Sequence, residues 1–499
     1  RGGAPRRARH RLRAAIARGG AMRRGERRRQ DGATQEAPLW ARWPILWLTC
    51  GGLAGQFFAF DIPSALNAQM RSVVLGQISG PEYDQYFGLL YAVYSLPNAV
   101  LPVALGVAVD RCGYRGLIIL LGVCVVVGQV IFTLGWRLSS WSAMLWGRAV
   151  FGVGGETLQV AQTCLLVRWF EGREIALALG LNMSIARGGS VLTYVLSPLV
   201  ARHLGVTCAF WLGAALCSAS FAVNVWSVHM DKCEGEAARL ADVTSNTQAT
   251  WEDIVNMPRL YWLLTALGVV LYSGILPFNN IASAYFVETA FAAQPQAAAH
   301  QSAGTALSIL FMVSALGTPP FGGMVDMIGC RTHFLLLSSA LLTATFLCIA
   351  RVPPVLTTFS LGCVYTAFAG ALWPALALTV PQRLLGTAYG LTVSLQNAGL
   401  AVVPIVVAWL QSRGEGATRY QDVISLFIAL GFAGIVLSVM LMHASATRGG
   451  ILDMPSGEAE QCIANGEIQP LKKLPKGKSV CSEGAGRAAH HLEACRPSL

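Results

Sequence analysis

The sequence predicts an all-α membrane protein: twelve transmembrane helices in two pseudo-symmetric six-helix bundles. Three observations lead there. The chain of 499 residues is 54% hydrophobic and only 13% charged, with a mean hydropathy of +0.51. A soluble chain carries about 25% charged residues, so lipid is the solvent this composition suits. Twelve apolar segments are each long enough to cross a hydrocarbon core, which takes about 20 residues. Finally, GVAVDRCGYR at 106–115 recurs in degraded form as GGMVDMIGCR at 322–331. Gly106/Gly322, Asp110/Asp326, Gly113/Gly329 and Arg115/Arg331 match at one constant offset of 216 residues. A repeat of that length in an apolar chain is the plan of a secondary transporter.

The apolar segments are 44–66, 85–109, 116–136, 141–166, 174–201 and 206–229, then 260–286, 302–325, 334–350, 355–379, 386–410 and 421–443. The hydrophilic run between the sixth and the seventh divides them six and six, in agreement with the repeat. The expected domains are a basic tail at 1–43, a first bundle at 44–229, a linker at 230–259, a second bundle at 260–443 and a tail at 444–499. Both tails lack apolar periodicity and are expected to be disordered.

The net charge of +11 sits in the first 29 residues, which hold 12 Arg and one Glu. The rest of the chain is neutral, so no nucleic-acid-binding face is expected. The arm reads either as a cytosolic segment drawn to anionic lipid or as translated upstream sequence with Met22 as the start. Basic residues concentrate in the tails and in the loops of the same side, which makes both termini cytosolic. Thirteen cysteines show no metal-binding spacing and none falls in a lumenal loop, so neither metal nor disulfide is expected. No phosphate-binding loop or nucleophile elbow occurs. The chain reads as a non-enzyme without a cofactor.

Charges at bilayer depth cost roughly 2.5–3.5 kcal/mol each on insertion and are functional candidates by default. Asp61, Glu156 and Arg187 lie well inside segments, with Arg148 nearer an end, and all four are in the first half. Glu156 and Arg187 lie about 18 and 20 Å from the same surface at 1.5 Å rise per residue. At similar height on antiparallel neighbours they read as a structural ion pair, or as grips for the ammonium and carboxylate of a zwitterion. Asp61 precedes Pro63, which frees a backbone carbonyl. It reads as a site residue or as a hydrated group near the lumenal helix end. Tyr91, Tyr94, Asn98, Asn279, Asn280, Tyr365, Trp373, Gln396 and Asn397 are uncharged polar or aromatic groups suited to packing, interhelical hydrogen bonds or specificity. No histidine lies at the midplane, so a proton relay falls to Glu156 or Asp61. The sequon Asn182-Met183-Ser184 lies inside a span.

Gly106-x-x-x-Asp110-Arg111-x-Gly113-x-Arg115 resembles the signature loop of the major facilitator superfamily, and the second copy carries Gly322, Asp326 and Arg331. The resemblance implies a latch between the bundles, to which GRAVFGVGGE (147–156) with Arg148 is a further family-like element. FFAFDIPSAL (57–66), FGVGGETLQVAQ (151–162), SIARGGS (184–190), ALWPALALTVP (371–381) and GTAYGLTVSLQNAGLA (386–401) resemble one branch of it, whose members export dipeptides from lysosomes. That similarity implies a uniporter in which Glu156 and Arg187 engage the peptide termini and Trp373 lines the site. It also implies a lysosome or other acidic vacuole, with the plasma membrane as alternative, and a glycosylated accessory subunit. PFNNIASAYF (277–286) departs from the branch with its two asparagines, and Met327 stands where the first loop copy has Arg111.

The leading reading is a facilitator of dipeptides, with amino acids next. The alternatives are a proton-coupled carrier of organic anions, drugs or sugars, and a non-transporting receptor or scaffold.

Overall fold

The computed structural model describes residues 39–74, 78–170, 175–235, 254–381, 384–414 and 419–464. The first bundle comprises α1 (Leu39–Ala65), the short α2 (Asn67–Val74), α3 (Gly80–Asn98), α4 (Leu101–Arg137), α5 (Trp141–Phe170), α6 (Ile175–Leu204) and α7 (Val206–Gly235). The second comprises α8 (Arg259–Glu288), α9 (Gln296–Ile328), α10 (Arg331–Cys348), α11 (Pro354–Thr379), α12 (Leu385–Arg413) and α13 (Gln421–Ala446). No strand interrupts the helices among the described residues, as the predicted fold class requires.

Local sequence explains where many helices begin. Ser79 caps α3 by accepting from the Glu82 N–H at 3.3 Å, and Pro81 follows in the first turn. Pro258, Pro295 and Pro353 stand immediately before α8, α9 and α11. Nine helices among the described residues are long and apolar enough to cross a membrane. Outside that group are α3, α5 and α6, of which the last two carry Arg148, Glu156 and Arg187. Their charges lower the very hydropathy by which a span is recognised. Large apolar side chains such as Trp47, Trp146, Leu192, Leu316 and Val436 face outward, an arrangement that suits contact with lipid.

The bundles meet along three seams: α6 against α9, α3 and α4 against α12, and α8 against α1 and α2. Gly88 and Gly304 permit two of these approaches. A Cβ on Gly88 would stand 2.7 Å from the Pro404 carbonyl oxygen, and one on Gly304 would overlap the carbonyl oxygen of Tyr194.

The tails differ from expectation in two places. Helix α1 begins at Leu39, ahead of the expected boundary at 44. Beyond α13, the stretch expected to be disordered folds into a 3-10 turn (Ile451–Asp453) and α14 (Ser456–Ala464). Ile451, Leu452 and Ala459 are buried there. The chain returns to cover α9 and α10 because Arg331, fully buried, needs acceptors. Its guanidinium donates to the Met454 carbonyl at 2.8 Å and to Ser456 Oγ at 2.5 Å. The remaining tail residues lie outside the described ones.

Candidate functional site

The two copies of the loop repeat mark one end of the molecule, called here the repeat end. In the first copy, the surroundings of Gly106 and the side chains of Asp110 and Arg111 lie outside what is described, so the latch expected there is not described. Arg115 forms an ion pair with Asp231 of α7 at 2.5 Å, and Trp169 Nε1 donates to the same carboxylate at 2.8 Å. In the second copy, Asp326 stands 3.4 Å from Arg331 and accepts from Ser456 Oγ at 2.8 Å. Thus Arg115 holds the end of the last helix of its own bundle, and Arg331 holds the chain that follows the last helix of its own, rather than reaching across. A Cβ on Gly322 would meet nothing within 4 Å, so close helix approach is not its role here. The tight position is Gly329, whose φ of +76° and contact with Asp453 and Met454 exclude a side chain.

At the far end, four charged residues join the bundles. Arg71 of α2 and Arg419, just before α13, both donate to Asp84 of α3, at 2.7 and 2.5 Å. Arg419 also holds Glu288 of α8 through both carboxylate oxygens, at 3.0 and 2.9 Å. Arg71 lies 3.8 Å from Glu288. Every ion pair between bundles among the described residues belongs to this cluster. Sequence reading missed this cluster. Arg71 and Arg419 stand between apolar segments, and nothing local in the sequence pairs them with acids in distant segments.

One layer further in, hydrogen bonds continue the seam. Tyr194 donates to Ser64 Oγ at 2.8 Å, Ser64 donates to the Asn279 carbonyl at 2.7 Å, and Asn279 Nδ2 donates back to Tyr194 at 2.5 Å. Asn67 Nδ2 donates to the Asn280 carbonyl at 3.1 Å. The two asparagines of PFNNIASAYF are therefore the station where α8 meets the first bundle.

Below this seam lies a cavity of about 90 Å³ between the bundles, room for several waters. Asp61, Tyr94, Glu156 and Arg187 line it from the first bundle, Tyr365 and Asn397 from the second. The equal depths read from the sequence thus bring Glu156 and Arg187 to one cavity. No ion pair within 4.0 Å joins them among the described residues, which removes the structural ion pair. Glu156 is presented by a kink: Gly155 has ψ of −109° inside α5, and a Cβ there would stand 2.5 Å from the Tyr94 hydroxyl. The GG of GVGGE was the available signal.

Arg187 instead reaches the second bundle. Its Nη1 donates to Ser314 Oγ of α9 and, at 3.3 Å, to Thr318 Oγ1. The Tyr365 ring centroid is 4.4 Å from the guanidinium carbon, a cation–π contact.

Three expectations change. Trp373 does not line the cavity. Its Nε1 donates to Tyr272 at 3.2 Å, its carbonyl accepts from Tyr389 at 2.8 Å, and Tyr272 packs edge-on against Tyr365. Trp373 therefore buttresses a wall residue. Gln396 is buried away from the cavity while its neighbour Asn397 faces it, as consecutive helical positions about 100° apart must. Arg148 belongs to no loop latch. It is fully buried in the first bundle, donates to the Phe60 carbonyl at 3.1 Å, and lies among the rings of Phe60, Tyr91, Phe132 and Phe151. Asp61 is its nearby charge, beside Ser190 and Tyr194.

Two helical bundles related by an internal repeat, closed at one end by charges and enclosing a charged central cavity, define a secondary transporter. The chain belongs to the Major Facilitator Superfamily, whose model matches residues 49–292. It is 31% identical to the lysosomal dipeptide transporter MFSD1 of Homo sapiens over 431 residues, 84% of this chain and 89% of that protein. It is 32% identical to the lysosomal dipeptide transporter MFSD1 of Bos taurus over 437 residues, again 84% and 89%. Among solved structures it is similar to the nucleoside transporter NupG, with a TM-score of 0.62 at 14% identity, covering 80% of this chain and 98% of that one. This last likeness is one of fold.

Proposed function

We propose that the protein carries dipeptides across the membrane of a lysosome or other acidic vacuole, as a uniporter working by alternating access. The observation that carries the reading is the placement of Glu156 and Arg187 on one cavity with no ion pair between them. Opposite charges left unpaired at bilayer depth are costly. A zwitterion supplies the missing partner to each, its ammonium to Glu156 and its carboxylate to Arg187. The relatives named above support the dipeptide among zwitterions.

The basic tails support cytosolic termini, which puts the repeat end in the cytosol and the far end in the lumen. The bundles rock about the cavity, and the cavity widens to admit a peptide as they part. The Arg71–Asp84–Glu288–Arg419 cluster closes the lumenal side. The loop copies keep each bundle rigid at its cytosolic end, Arg115 through Asp231 and Arg331 through the folded tail.

Uptake of a labelled dipeptide into proteoliposomes tests the assignment. Glu156→Gln and Arg187→Ala should each abolish most of it while the purified variants keep their thermal melts. Wild-type rates in both variants would overturn the site. A second reading, proton-coupled transport, is favoured by Asp61, a second carboxylate on the same cavity and itself buried. Accumulation driven by a pH gradient, and lost in Asp61→Asn, would establish coupling in place of uniport.

A further inference from the structure

The Arg187 guanidinium is held by an uncharged apparatus from the opposite bundle. Its acceptors, Ser314 and Thr318, are four residues apart on α9 and so share one face. Thr318 Oγ1 donates its own proton to the Ser314 carbonyl at 2.6 Å. That hydroxyl therefore turns only lone pairs toward Arg187. Ser314 is fully buried, and a Cβ on the intervening Gly317 would stand 3.1 Å from Thr366 of α11, so α9 is fixed laterally at this level. The Tyr365 ring completes the seat.

The chemistry of this seat is selective in what it omits. A carboxylate in place of the hydroxyls would orient Arg187 equally well but would neutralise it, and an incoming anion would have to displace it. Hydroxyls and a ring face orient the guanidinium and bring no counter-charge of their own. Hydrogen bonds to a charged group are also the strong ones, so two neutral acceptors suffice to fix the side chain.

We propose that Ser314 and Thr318 are positioning residues that hold Arg187 charged and aimed into the cavity for the carboxylate of the substrate. The carboxylate subsite is then shared, with its cation on the first bundle and its aim set by the second. The inference rests on the zwitterion reading above and extends it to residues that touch no substrate.

The test uses full-length protein in proteoliposomes, with alanyl-alanine as substrate and its C-terminal amide as competitor. The double variant Ser314→Ala/Thr318→Val should raise KM for the free dipeptide about tenfold, the size expected for losing a hydrogen bond to a charged group. The maximal rate should stay within about twofold, because the cation itself remains. Inhibition by the amide, which offers no carboxylate, should be unchanged. Ser314→Thr, which keeps the hydroxyl, should restore the wild-type KM and guards against a folding defect in the double variant. An unchanged KM in the double variant, with uptake abolished by Arg187→Ala, overturns the positioning role alone. Equal shifts for dipeptide and amide, or no rescue by Ser314→Thr, overturn it as well. Wild-type uptake in Arg187→Ala overturns the underlying zwitterion reading instead.

Discussion

Arg419 of the second bundle donates to Asp84 of the first at 2.5 Å, with both side chains almost fully buried. The bond joins residues 335 positions apart in the chain. Removing one partner of a buried pair leaves an uncompensated charge, which costs about 3–5 kcal/mol. Arg419→Met should therefore shift the conformational equilibrium away from far-end closure. Modification of a cysteine placed at Asn67, under the cluster, should become faster by at least tenfold. Unchanged labelling would remove the cluster from the closing mechanism.

Arg148 carries two nitrogens, Nε and Nη1, with no hydrogen-bond partner, among four aromatic rings. Its nearby charge is Asp61. Arg148→Met alone should lower stability by about 3–5 kcal/mol, since it strands a buried carboxylate. Arg148→Met with Asp61→Asn should recover most of that loss. Thermal melts of the four proteins of this cycle give the coupling directly, and additivity would mean the two charges act independently.

Truncation tests the docked segment that follows α13. Deletion of 450–499 removes the carbonyls and the hydroxyl that hold the Arg331 guanidinium and should cost about 3 kcal/mol, as for breaking a buried charged network. A melt equal to that of the full-length protein would show that the docked segment contributes nothing.

Much of the fold was legible because hydropathy, span length and the 216-residue repeat are properties of short windows and of their spacing. The deep charges were legible for the same reason: Glu156 and Arg187 stand out against apolar neighbours, and helical rise fixes their depth. Rotation about the helix axis was not legible. Trp373 and Gln396 point away from the cavity that Tyr365 and Asn397 face, and helix packing decides that. The folded tail escaped because its turn is short and its stability comes from Arg331, far away in sequence.

By itself, then, the sequence determined the solvent, the twelve spans, the duplication and the matching heights of Glu156 and Arg187, all of which follow from local composition and a regular rise. Only the tertiary structure decided partners. It left Glu156 and Arg187 unpaired on one cavity, seated Arg187 on Ser314, and joined Asp84 to Arg419. Such pairings depend on which helices meet and at what rotation, and those are settled by packing between segments hundreds of residues apart.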